Sequence, residues 1–203
     1  MAARAIEPIK LKEWPVARWL YGSRWASGIW LVARVWLGYE WVKAGTSKIW
    51  GGEAAGFWNG GAAVKGFAAG AIAQSHGAHP QVAYGWWVQF LQGFVLPNHA
   101  WIAKLVAVSE VTVGVALIAG LFTGIAAFGG LLLNFTYVMS GTVATNPVLI
   151  IVGVLLVLAW RNAGYLGLDG LLLPRLGTPW QQGSLARILP HRRAVDGSLG
   201  RAA

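Results

Sequence analysis

Residues 34–50, RVWLGYEWVKAGTSKIW, carry Arg34, Glu40, Lys43 and Lys48 through one of the most apolar parts of the chain, and Glu110 and Asn134 interrupt two further apolar runs. Ionisable groups in lipid are rare and by default mark a ligand site, a proton path or an electron-coupling site. The same residues can instead be structural: Arg34 and Lys43 balance Glu40 and Glu110, and a neutral polar core can hold helices together. A Lys, Arg or Asp at the centre of a membrane helix costs about 2.5–3.5 kcal/mol. Three in one helix roughly cancel its apolar gain unless they are paired or hydrated.

Other chemistries find little support. His76, His79, His99 and His191 all fall outside the long apolar runs, which argues against a haem ligated by two histidines between helices. His76 and His79 in SHGAHP have no carboxylate or thiol companion, so no metal site is expected. The chain has no cysteine, so it offers no disulfide, thiolate metal site or catalytic thiol. It also lacks a phosphate-binding glycine loop and a nucleotide fingerprint. No cofactor site is visible, and no residue receives a catalytic role.

The elements that must position these groups follow from composition. Of 203 residues, 56% are hydrophobic and 11% charged, against about 25% charged in soluble domains. The net charge of +9 does not point to nucleic acid, because the basic residues sit mostly at the two ends instead of on one face or arm. A basic stretch precedes the first apolar run, as in a signal peptide, but that run continues past Ala33, contains charges and lacks a small-x-small cleavage site. It is expected to be retained. Runs at about 28–49, 101–121, 124–140 and 147–165 are long enough to cross a bilayer, which requires roughly 20 predominantly apolar residues. The expected fold is therefore an all-α integral membrane protein, a bundle of four transmembrane helices with an outer amphipathic, aromatic loop region between the first two. A basic arm (1–24) precedes the transmembrane domain (25–175, outer cap about 50–100), and a basic tail (176–203) follows it. The positive-inside rule puts both termini in the cytoplasm of a multi-pass cell-membrane protein.

Within the outer region, 61–74 suits a short helix, and 84–97 with Trp101 brings aromatic residues to a membrane surface. GLFTG (120–124) is short enough to force a helical hairpin. Pro147 suits the first position of the last span, with Thr145 or Asn146 as cap. Ala116, Gly120 and Gly124, spaced by four, suit close helix packing.

Depth and angle sort the charges. At helical rise, Glu40, Glu110 and Asn134 lie roughly 16, 14 and 15 Å from the starts of their helices, which places all three near the midplane. Glu40 and Lys43, three residues apart, can pair on the face turned to this cluster. Arg34 lies about 180° from Lys43 and needs a shallower partner, either backbone carbonyls or Asn162. Lys48 and Lys104 can snorkel to the headgroups.

RVWLGYEWVKAGTSKI, GLFTGIAAFGGLLLNFTYVMSGTVATNP and AWRNAGYLGLDGLLLP resemble the DoxX/DoxD family over about residues 25–175. The HP-containing outer loop, PNHAW, GTVATNP and YLGLDGLLLP are more similar to its DoxD-like branch. That family includes the large membrane subunit of thiosulfate:quinone oxidoreductase. The resemblance implies four helices in a redox complex that joins two thiosulfates into tetrathionate and passes two electrons to quinone. It also implies partners: a small thiosulfate-oxidase subunit, a sulfurtransferase or a superoxide dismutase, besides lipid and a possible homo-oligomer. On this basis Arg34, Lys43 or Lys48 can attract the thiosulfate dianion. Glu110, Asn134 and Trp36 or Trp41 can supply donors and an aromatic wall to a quinone headgroup. The alternative is a non-enzymatic scaffold that docks a soluble redox or sulfur-transfer protein; a small-molecule transporter is a third possibility.

Overall fold

A computed structural model describes residues 14–177. The expected N-terminal arm is thus described only from Trp14 and the expected tail only to Gly177; the remaining parts, with His191, lie outside the described residues. No strand occurs among the described residues.

Ten α-helices run in order among the described residues: α1 (Pro15–Gly22), α2 (Ser27–Ile49), α3 (Ala54–Phe57), α4 (Ala62–Ala73), α5 (Gly85–Phe90), α6 (His99–Ala119), α7 (Thr123–Met139), α8 (Asn146–Leu158), α9 (Trp160–Ala163) and α10 (Asp169–Leu176). A π-helical turn, Leu91–Val95, continues α5. The short helix expected near 61–74 is α4, and the GLFTG hairpin joins α6 to α7. Gly120 ends α6 in the left-handed conformation (φ 65°), which glycine adopts without a Cβ penalty. Pro147 stands in the first turn of α8, but neither Thr145 nor Asn146 caps it through its side chain. Asn146 instead donates backward to Thr142 O at 3.0 Å.

Among the described residues one helix, α6, is both long and apolar enough to cross a membrane; α4, α7 and α8 are apolar but shorter. The 23-residue α2 has the length and also the four charges. The fourth expected span is broken between α8 and α9. Beyond the break, Asn162 turns its amide to Leu20 O and Ser23 O, at 3.0 and 3.1 Å, and so ties this end to α1.

α2 packs most extensively on α6, antiparallel and with backbones almost touching. A Cβ on Gly38 would lie 2.7 Å from Gly114 O, and one on Gly45 would lie 2.8 Å from Ala107 O. Small residues permit this approach. Behind it, Trp30, Leu37, Trp41, Leu117, Ala127 and Leu156 form the main core. A second core under the cap gathers Val64, Ala68, Trp87, Leu91, Val95 and Ala103. The polarity is otherwise inverted relative to a protein dissolved in water. Arg34, Glu110, Thr123, Asn134 and Asp169 are buried, while Val32, Val115, Ile125, Phe128, Leu132 and Ile151 face outward.

Candidate functional site

Three helices direct polar groups inward along heptad-like rows. On α2 the row is Arg34, Gly38, Trp41, Gly45 and Lys48; on α6 it is Ala103, Ala107, Glu110, Gly114 and Leu117; on α7 it is Thr123, Ala127, Gly130, Asn134 and Tyr137. Spacings of four and three keep each row on one side of its helix.

At the cap end, Lys48 Nζ donates to both oxygens of Glu110, 2.9 Å to Oε1 and 2.8 Å to Oε2. Tyr137 Oη donates to Glu110 Oε1 at 2.5 Å. Glu110 is 1% exposed, and its partner lysine 12%. The lysine ammonium also stands 5.2 Å from the centre of the Phe57 ring, a cation–π contact that compensates part of its desolvation. Asn134 lies one turn from Tyr137, buried, with Oδ1 lacking a hydrogen-bond partner. Trp41 is buried against Gly130: a Cβ there would meet its Nε1 at 3.0 Å.

The expected grouping is corrected at two points. Glu40 and Lys43 do not join Glu110 and Asn134. They form no ion pair with each other or with another described residue, and Lys43 is exposed. The roughly 180° between Arg34 and Lys43 is real, but Arg34 takes the inner face. Lys48, expected at the headgroups, turns inward to Glu110, because it follows Arg34 by fourteen residues and so shares its face. Tyr137 was missed although it lies three residues after Asn134; its aromatic body reads as a membrane-belt residue unless its depth is considered.

Arg34 holds the opposite end of the bundle. Nη1 donates to Leu117 O and Ile118 O at 2.6 and 2.7 Å, and Nη2 donates to Leu166 O at 2.7 Å. Backbone carbonyls are therefore its partners, and Asn162 is not. Gly120 and Gly167 make the space: a Cβ on either would lie 2.8 Å from the guanidinium. Asp169 supplies the nearby counter-charge and accepts from Phe122 N and Thr123 N at 2.6 and 2.8 Å. A carboxylate there satisfies free donors at the start of α7 and suits the positive end of its dipole. The GLDG stretch is thus a clasp on the α6–α7 turn.

Between the cap and the upper parts of α6 and α7 lies a cavity of about 420 Å³, lined by Phe67, Trp87, Phe94, Trp101, Leu105 and Tyr137 among others. Trp87 is fixed by donating Nε1–H to Ser140 Oγ at 3.1 Å. Phe90 stacks on Phe94, with centroids 5.3 Å apart, and Phe94 meets Trp101 edge-on at 6.0 Å. The π-helical turn contributes Leu91, Phe94 and Val95 to the wall; such turns are frequent at functional sites. Volume and lining suit a flat apolar ligand with a polar edge. His76 and His79 are exposed on the loop before α5, and His99 Nδ1 contacts Leu96 O at 2.8 Å. No cluster of three metal-ligating residues occurs among the described residues.

The model of the DoxX family matches residues 29–145, which takes in all but the first two residues of α2, α3 to α7, and both the Lys48–Glu110–Tyr137 triad and the cavity. No curated protein and no solved structure matches the chain.

Proposed function

The chain belongs to the DoxX family, a membrane family, and from that premise we propose that it is the quinone-facing membrane subunit of a sulfur-oxidising redox system of the thiosulfate:quinone oxidoreductase type. The DoxD-like motifs in the outer loop and in GTVATNP and YLGLDGLLLP support that branch. The membrane-spanning elements in this proposal are α2, α6, α7 and α8 with α9. Both termini face the cytoplasm of the cell membrane, with α3 to α5 as an outer cap.

The observation that carries the proposal is the aromatic cavity lined by Tyr137, whose hydroxyl donates to Glu110, which in turn accepts from Lys48. In the overall reaction two thiosulfates join through a new S–S bond as tetrathionate and release two electrons. The quinone takes up those electrons and two protons. The Phe94, Trp87 and Trp101 rings hold the quinone ring, and Tyr137 Oη stands at its polar edge. Lys48, Glu110 and Tyr137 form a row of three groups along which a proton can be handed inward. Of the cations suggested for thiosulfate, Arg34 and Lys48 are engaged within the bundle, and Lys43 is on the outward face of α2. Thiosulfate is therefore assigned to the surface shared with a small partner subunit.

The test is binding and reduction of a short-chain quinone by the purified chain, alone and with its partner, using thiosulfate as donor. Absence of quinone binding in both preparations overturns the proposal. One observation favours a second reading, a non-catalytic scaffold for a sulfurtransferase or superoxide dismutase: Glu110 is already satisfied by Lys48 and Tyr137, as a structural lock would be. Under that reading Tyr137→Phe leaves partner function intact.

A further inference from the structure

We propose that the outward face of α2, centred on Glu40 and Lys43, is the surface through which two copies of this chain pair side by side in the bilayer. The inference rests on α2 lying in the membrane and not on the quinone proposal, so the two fail separately.

α2 carries two rows on opposite sides. The inner row, Arg34 to Lys48, is covered by α6, by α7 at Trp41 and by the Leu166 carbonyl at Arg34. The outer row runs Ile29, Trp36, Glu40, Lys43, Ser47 and Trp50, and its spacings of seven, four, three, four and three again keep one side of the helix. Ile29, Trp36 and Trp50 on it are exposed. Neither Glu40 nor Lys43 has a side-chain partner among the described residues, although both lie well inside a 23-residue helix. Charged groups at that depth normally face protein or water and pair with one another.

The face is self-complementary. A twofold axis along the membrane normal sets two α2 helices parallel, so that each patch meets its own copy. Three residues separate the two by about 4.5 Å of rise, a distance that the long, flexible Lys43 stem of one copy spans to reach Glu40 of the other. Two identical ion pairs then form together, between flanking apolar residues. A second copy supplies a base to Glu40 and an acid to Lys43, neither of which is paired within the described residues.

The absence of cysteine makes the test direct, because a single introduced cysteine can cross-link only between molecules. In vesicles containing the full chain, Trp36→Cys and Ser47→Cys are expected to give disulfide-linked dimer on oxidation, and Val115→Cys on the outer side of α6 is not. Glu40→Lys or Lys43→Glu in the Ser47→Cys background should lower the cross-linked fraction about tenfold through like-charge contact, and the combined reversal should restore it. If a reversal variant fails to fold, Glu40→Gln and Lys43→Met replace it and should likewise lower the cross-link. The proposal is overturned by no cross-link at either position, by cross-linking insensitive to these charges, by equal linkage from Val115→Cys, or by linkage to a different polypeptide.

Discussion

Lys48 reaches Glu110 across a difference in height. The close contacts of Gly38 with Gly114 and of Gly45 with Ala107 set Glu110 roughly level with Val42, about 9 Å deeper than Lys48 at helical rise. The long lysine stem runs inward while the glutamate leans toward the N-terminus of α6, and Nζ closes to 2.8 Å from Oε2. Each partner depends on the other unequally.

That inequality predicts an order of stabilities. Lys48→Met leaves a buried carboxylate without its cation and should cost about 3–5 kcal/mol. Glu110→Gln leaves a lysine that can turn toward the headgroups and should cost about 1–2 kcal/mol. The combination Lys48→Met with Glu110→Leu should recover most of the loss, since an apolar replacement of a buried pair is often neutral. Reversible unfolding in mixed micelles gives all three values; equal losses in the two single variants would contradict the geometry.

Glycines at the α2–α6 contact should tolerate nothing larger. Gly114→Ala drives a methyl to 2.6 Å from Gly38 O, where only backbone can yield, and overpacking of this kind costs about 1–3 kcal/mol. At Gly129 the nearest atom to a new Cβ is Val113 Cγ2 at 3.4 Å, an ordinary contact. Gly129→Ala should leave the melting temperature unchanged or raise it, through higher helix propensity.

Arg34→Lys is expected to fail as a conservative change. Three carbonyls at 2.6–2.7 Å match two guanidinium nitrogens in one plane, and an ammonium cannot reproduce that fork. A loss of about 2–3 kcal/mol is expected for buried charge-assisted bonds. Protease sensitivity near the α6–α7 turn should increase with it, because Arg34 and Asp169 fasten the same clasp.

Tyr137→Phe separates site from scaffold. It removes only the hydroxyl and its bond to a carboxylate, so stability should fall by about 1.5–3 kcal/mol. Quinone-dependent turnover should fall about tenfold or more if Tyr137 passes a proton. Unchanged turnover with that stability loss would assign the triad a purely structural role.

The membrane as solvent, helical elements near all four expected runs, and the hairpin at GLFTG were legible in the sequence, because each depends on local composition, run length and turn chemistry. The angular opposition of Arg34 and Lys43 was legible for the same reason: a helix fixes relative angles between its residues. Its absolute rotation is set by its neighbours. Only the tertiary structure decided that the side bearing Gly38 and Gly45 packs on α6, since two backbones can approach only where neither carries a side chain. That choice carried Arg34 and Lys48 inward and Glu40 and Lys43 outward. The Gly38 and Gly45 spacing was a sequence signal for it, but a seven-residue glycine repeat gains meaning only when Ala107 and Gly114 stand opposite. The clasp at Asp169 depends likewise on contacts between residues more than forty positions apart, which local pattern does not encode.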